Sequence, residues 1–574
     1  MKRPPATIDA LVAQVVRRTH LRRRERADLG RELRSHFDEG IAAGRSESQL
    51  IEAFGDPRAA AKQLRAAAIA KRPAWDRAIG ATVRGAAWTV AAVVLAYVGF
   101  GAWLTLQRPQ VKFDAFERLR AAVPQAGAEG EALPRYTQAL ASVGIEGTSW
   151  RDRRGPNDPS PLRLFEPLPG SPEWEESAQW LDANAPFLQA LREASALAVL
   201  GGIQSSATGD AELLAQWKDA SRFPLFELRL PWLGPMRLAA AALCADALRA
   251  AERSDGDRVV ADLVAAMGVA RQAQESRILI CDLVGHAIRA RACTTLLQVL
   301  EWKPDLLHDA QLQALQRCFG GVDDALMQFT LAQERLSFED LVQRIFTDDG
   351  AGDGWLRPDE RTAMALGAAL SMTSSSDEGA ALSLALKASR PLAAALHLGR
   401  RETLALYNAL SDETEALARL PLRRQVDGKE RAELTARVEA LRGSPRTILL
   451  GLMIPALGKA AESVAVTREL LAIAQLALGC TRAHRETGSW PTSLTDLAPG
   501  YLPQPPVDPW SDAPPRIRSV EAWEVYSIGR DRIDADGATP SPDVLGRSLL
   551  SEPGDPTLFR PEGTLTRWLR YDDE

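Results

Sequence analysis

Cysteine is scarce in this chain, with five residues in 574. Cys244, Cys281, Cys293, Cys318 and Cys480 form no CxxC pair and have no histidine nearby at ligand spacing, which argues against a thiolate metal centre. An odd count leaves at least one thiol unpaired, and each lies among Ala and Leu in a helical pattern, where a thiol acts as a small buried hydrophobe. Catalytic signatures are missing too: there is no HExxH, no GxSxG, and no kinase or dinucleotide fingerprint. The nearest phosphate-loop candidate, "GLMIPALGKAAES", separates Gly451 from Gly458 by six residues where four are needed, and places Ala460 where Ser or Thr would hold magnesium. His286, His308 and His397 are isolated, and His20 and His36 stand 16 residues apart on different helices, so all five read as structural. Asp323 and Asp324, close to Gly320, read as a solvated turn or helix start. Chemistry by a known motif is therefore not expected, and no small-molecule substrate is indicated.

What the chain does have is enough apolar material to fold: 46% hydrophobic and 25% charged residues are the proportions of a globular protein. At roughly 150 residues per domain the length implies three or four units. Arginine greatly outnumbers lysine, which reads as base-composition bias; with a net charge of -6, no nucleic-acid partner is expected. The charge is unevenly spread. Residues 1–84 hold 18 Lys and Arg against 10 Asp and Glu, while the remainder holds 51 against 65, a division that suits a membrane protein with its basic part in the cytoplasm.

Between Arg84 and Arg108 runs "GAAWTVAAVVLAYVGFGAWLTLQ", 23 residues without a charge. As a helix it covers roughly 34 Å, enough for a hydrocarbon core of about 30 Å. Trp88 and Trp103 sit near its ends, as interfacial aromatics do. Because more than 80 residues precede it, the stretch reads as a retained single-pass anchor over 85–107, not a secretory signal. Close flanking charges tie, with Lys71, Arg72, Arg77 and Arg84 on one side and Arg108, Lys112, Arg118 and Arg120 on the other. The basic first segment as a whole orients the N-terminus inward, which implies a bacterial cytoplasmic membrane with the bulk of the chain outside.

Residues 1–72 carry helix punctuation. Leu29, Leu33, Phe37 and Ile41 recur on one face, Gly44 can close that helix, Ser46 and Gln49 form a capping box, and Asp56 with Pro57 opens the next. Three helices follow from these signals. Glu32, Leu33, His36, Gly44, Phe54, Gly55, Asp56, Pro57 and Leu64 resemble the pattern of the HAAS-type helical domain, over about residues 8–70. The resemblance implies a small cytoplasmic unit placed before membrane spans and linked with regulation or signalling.

From 111 to 445 amphipathic helices succeed one another without sustained strand-like alternation, and the expected body is either a stacked helical array or an irregular bundle. Residues 446–487 read as one long apolar helix whose charge-free opening is too short for a second span. The chain then changes character at "TGSWPTSLTDLAPGYLPQPPVDPW" and "WEVYSIGRDRIDADG". Gly488, Trp490, Pro491, Leu494, Leu497, Tyr501, Leu502, Pro506, Asp508, Pro509, Trp510, Tyr526, Ser527, Gly529 and Asp531 resemble the C-terminal part of the major pseudopilin of type II secretion systems. The resemblance implies a helix on a small antiparallel sheet over 446–545, outside the cytoplasmic membrane and followed by a tail at 546–574, with Trp490, Tyr501 and Trp510 covering sheet and helix. In that family the closing loop can hold calcium, and Asp531, Asp534 and Asp536 could supply hard oxygen ligands. Pilin assembly is not expected: a pseudopilin carries a cleaved leader and a glutamate five residues into its membrane helix, whereas position 104 here is Leu and the span has no acid.

The fold expectation is thus mainly α: a three-helix module, one transmembrane helix, a large helical body and a small α+β C-terminal module. The functional expectation is a non-enzymatic membrane protein with protein partners, serving interaction, scaffolding or signal relay. Docking to a secretion or pilus-like system is the second reading, and an enzyme without a recognisable motif the third.

Overall fold

The computed structural model describes residues 7–72, 74–107, 109–145, 161–203, 225–357, 394–442, 444, 446–519, 522–534, 536, 554–565 and 568. It is mainly helical and divides into two compact units, Met1–Ala102 and Trp103–Glu574.

In the first unit, helices α1 (Ile8–Thr19), α2 (Arg23–Ala42), α3 (Glu47–Phe54) and α4 (Pro57–Ala70) enclose Leu11, Val12, Val15, Leu33, Phe37 and Leu50. There are four helices here, one more than the punctuation from residue 25 onward predicts. The addition is α1, whose start is marked only by Thr7, its side chain accepting from Ala10 N at 3.3 Å. The expected caps are present. Ser46 Oγ accepts from Gln49 N and Gln49 Oε1 from Ser46 N, while the Asp56 carboxylate accepts from Arg58 N and Ala59 N at 3.0 and 3.3 Å. Gly44 and Gly55, at φ 85° and 77°, turn the chain where a side chain would be strained. Arg72 donates two 2.8 Å bonds to Glu25, tying the end of α4 to the start of α2.

Helix α5 (Ala74–Leu106) begins earlier than the expected span. Only 11% of its apolar window Gly85–Leu104 is buried, and Trp88 and Leu95 are 76% and 71% exposed.

The second unit contains α6 (Ala115–Ala122), α7 (Leu133–Ser142), α8 (Trp174–Ala183) and α9 (Ala185–Ala196), then α10 (Leu233–Glu252), α11 (Gly256–Ala273) and α12 (Leu279–Trp302). After these come α13 (Asp309–Gly320), α14 (Asp324–Met327), α15 (Ala332–Ile345), α16 (Arg400–Ala418), α17 (Leu422–Asp427), α18 (Lys429–Arg442), α19 (Ile448–Met453) and α20 (Pro455–Thr487). Alanines 239–242, 245, 247, 250 and 251 of α10 are all buried, so neighbouring backbones approach it closely. Helices α10, α11 and α12 pack on one another, and α20 lies against α12 and α13.

Helix α20 is long and apolar enough to cross a membrane, but 72% of its apolar window is buried inside this unit. It also joins what the sequence divides at residue 446: its side chains belong to the same core as those of α10, α11 and α12. The loop after it folds back, and Gly479 leaves room for Leu502, whose Cγ would lie 2.8 Å from a Cβ at that position.

A small antiparallel sheet in the order β1 (Arg516–Arg518), β2 (Glu524–Tyr526), β3 (Thr557–Phe559) follows. Strand β3 comes from residues read as a tail; 546–553 and 569–574 lie outside the described residues. Glu301, at the end of α12, holds this segment, its carboxylate accepting from Arg560 N at 2.9 Å and Trp568 Nε1 at 2.7 Å.

Fully buried Leu476 makes α20 testable as a core helix. Leu476→Ala is expected to lower the unfolding free energy of the detergent-solubilised chain by about 2–5 kcal/mol in denaturant titration. Leu95→Ala, on the exposed face of α5, is expected to change it by less than about 0.5 kcal/mol.

Candidate functional site

Of the three aspartates read as calcium ligands, Asp531 and Asp534 accept from donors of the chain through their carboxylates and Asp536 through its backbone carbonyl. Asp531 accepts from Ile533 N at 3.1 Å and from Gly554 N at 3.0 Å. Asp534 pairs with Arg516 and accepts from Tyr526 Oη at 3.2 Å and Asp536 N at 3.1 Å, while the backbone carbonyl of Asp536 accepts from Arg518. Among the described residues no group of three or more His, Cys, Asp or Glu side chains is disposed to hold a metal ion. The geometry is that of a loop fastened to the sheet edge by its acids.

The other motif positions of the C-terminal segment are also devoted to internal packing. Asp508 bridges two turns, accepting from Trp510 N and Ser511 N through one oxygen and from Ile528 N through the other. A Cβ on Gly529 would meet Gly554 O at 1.8 Å, so the position admits only glycine. Trp490 stacks between His484 and Trp523, Trp510 is buried with Leu422 and Ala465, and Tyr501 Oη donates to Glu486 at 2.7 Å.

Residues read as structural take structural places. His20 ends α1, His308 caps α13 by accepting from Gln311 N, and Asp323 caps α14. The segment from Gly451 to Ala460 is helical, in α19 and α20, and not a phosphate loop. The five cysteines are free; Cys318 is half-buried and the others are buried.

Sequence reading missed the charged groups inside the body. Arg192 of α9 donates to Asp246 of α10 and Asp262 of α11, both at 2.6 Å, and Arg258 of α11 holds Asp246 at 2.5 and 2.8 Å. Burial, and then the Asp246 charge, push the Asp262 carboxyl well above the usual range. Asp262 Oδ2 has no partner.

A second group surrounds the start of α12. Gly285 lets Gln274 lie against the helix, since a Cβ there would meet Gln274 Cγ at 2.4 Å. Gln274 Nε2 lies 3.2 Å from His286 Nε2, and Gln274 Oε1 accepts from Arg289. Asp282 pairs with Arg277 at 3.1 Å, and Glu334 accepts from Leu279 N at 2.6 Å. Asp282 Oδ1, His286 Nδ1, Arg289 Nε, Ser276 Oγ and Glu334 Oε2 are all buried without a hydrogen-bond partner, a concentration that native cores seldom contain. Burial dominates their titration: it lifts Asp282 to about 6 and Glu334 to about 7, and lowers His286 to about 3 and Arg289 to about 10. The only sequence signal was the presence of these polar residues on otherwise apolar helices.

The fold thus defines a mainly helical protein in which four N-terminal helices, α1 to α4, precede a long, exposed apolar helix. The HAAS family model matches residues 12–63, from within α1 to within α4. The chain therefore carries an N-terminal HAAS domain. No match to the chain was found among curated proteins or among solved structures.

Two outcomes follow from this chemistry. The Glu334 carboxyl is held at about 7 in the fold against 4.5 ordinarily, so its contribution to stability is complete below about pH 4.5 and is lost as pH rises towards 7. Glu334→Gln removes that loss. The unfolding free energy of the variant minus that of the native chain is expected to grow with pH across this window by up to about 1.4 kcal/mol per pH unit in urea titrations; a constant difference would refute it. Millimolar calcium is expected to leave the thermal midpoint unchanged, whereas a rise that Asp534→Asn abolishes would place an ion at the loop.

Proposed function

We propose that the protein is a single-pass, non-enzymatic component of a bacterial cytoplasmic membrane. In this reading the HAAS domain lies in the cytoplasm and the helical body outside, and the molecule serves protein interaction, scaffolding or signal relay. The observation that carries it is the uncovered apolar window Gly85–Leu104. A helix of a soluble protein keeps a polar face towards water, whereas Trp88, Val90, Val93, Val94, Leu95 and Val98 leave this one apolar and exposed. A hydrocarbon environment satisfies such a surface. The excess of basic residues over 1–84 supports the inward orientation of the N-terminus.

The alternative, docking to a secretion apparatus through the C-terminal segment, draws only on the pseudopilin-like motif. It has less support, because Asp508, Trp510, Tyr526 and Ser527 are buried and engaged within the body.

Reporter fusions test the arrangement. A green fluorescent protein fusion after residue 80 is expected to fluoresce, and an alkaline phosphatase fusion after residue 125 to be active. Phosphatase activity absent at 125, with fluorescence at both positions, would overturn the topology and the relay reading with it.

A further inference from the structure

A cavity of about 440 Å³ opens between α9, α11, α12 and the turn after α13. Three arginines line it, and they differ in how their charge is met. Arg192 is neutralised by Asp246 and Asp262. Arg271 spends its terminal nitrogens on the carbonyl oxygens of Leu197 and Ala198 beyond the end of α9, and forms no ion pair with a carboxylate among the described residues. Arg289 is 1% exposed, donates to Gln274 and leaves Nε without a partner. Its neighbour Asp282 pairs with Arg277 through Oδ2 and forms no ion pair with Arg289. Asp323 is the one carboxylate in the lining, and its Oδ1 is engaged by Ala325 N at the start of α14. Neither Arg271 nor Arg289 forms an ion pair among the described residues, and a buried cation without one is costly.

The remaining lining is chiefly apolar and includes Val264, Met267 and Leu326. A few convergent polar groups set in an apolar wall are the usual form of a small-ligand site, and the volume lies at the small end of that class. A guanidinium fork matches the two oxygens of a carboxylate.

We propose that this cavity binds a small organic carboxylate with an apolar body, its head held by Arg271 and Arg289 and its hydrocarbon part set against Val264, Met267 and Leu326. The site does not depend on the membrane reading above, since all its residues belong to the second unit. The carboxylate would supply the acceptor that Arg289 Nε lacks.

Fluorine NMR on the full chain in detergent, with para-fluorobenzoate as the probe, tests the proposal. The expected result is saturable line broadening by the native protein, weakened about tenfold by Arg271→Gln, as loss of a charge-assisted contact predicts. Val264→Trp should abolish it; position 264 is 41% exposed, so the larger side chain fills the mouth without entering the core. Circular dichroism checks that both variants keep their helices. Absence of binding by the native chain, or unchanged affinity in both variants, overturns the proposal. Equal binding of para-fluorobenzyl alcohol removes the role of the charge, and displacement by inorganic phosphate at matched concentration removes the role of the apolar body; either result also overturns it.

Discussion

Burial of helix α20 against α12 and α13 is the contact on which the body depends. Leu470, Leu471, Ile473, Leu476 and Leu478 are withdrawn from water there, each contributing roughly 1.5–3 kcal/mol before the entropy of ordering is subtracted. The helix is contributed late in the chain but completes a core begun by α10 and α11. Its far end carries the turns and strands that follow, so the small sheet has no foundation without it. Helices α5 and α20 are both long and apolar enough to cross a membrane, but α20 carries Lys459, Glu462, Arg468 and Glu469 and is packed inside its unit, whereas the window of α5 is uncharged and exposed.

Alanine decides how close the inner helices come, and closeness decides where charges can lie. Beside α10, lined by small side chains, α9 and α11 come so close to each other that a Cβ on Gly268 would lie 2.5 Å from Ser195 O. Long charged side chains inside such a layer must reach one another or remain unsatisfied. Arg192, Asp246, Asp262 and Arg258 do the former. The groups around Asp282, His286 and Arg289 do so incompletely, which marks the start of α12 as the part of the core least explained by packing.

Legibility in the sequence followed the range of the forces involved. The caps at Ser46 and Asp56 act over three residues and are readable as written, and the apolar run of α5 needs no partner to be recognised. Helix α1 was missed because a single threonine announces it. The aspartates 531, 534 and 536 look like ligands in the linear text, yet Arg516 and Tyr526 come from neighbouring strands to occupy Asp534. The boundary at 446 marked a real change in composition, but α20 connects across it. The interior charges were illegible for a different reason: Arg192, Asp246 and Asp262 lie on three helices, each resembling an ordinary solvent-facing residue until the helices meet.

The clasp at Glu301 has a temporal side. Synthesis delivers the end of α12 some 259 residues before Arg560, whose amide the Glu301 side chain finally accepts. Through that interval the third strand of the sheet does not yet exist. Strand β3 is therefore synthesised after helices α6 to α20 of the body. Closure of the sheet thus follows synthesis of the helices it rests on.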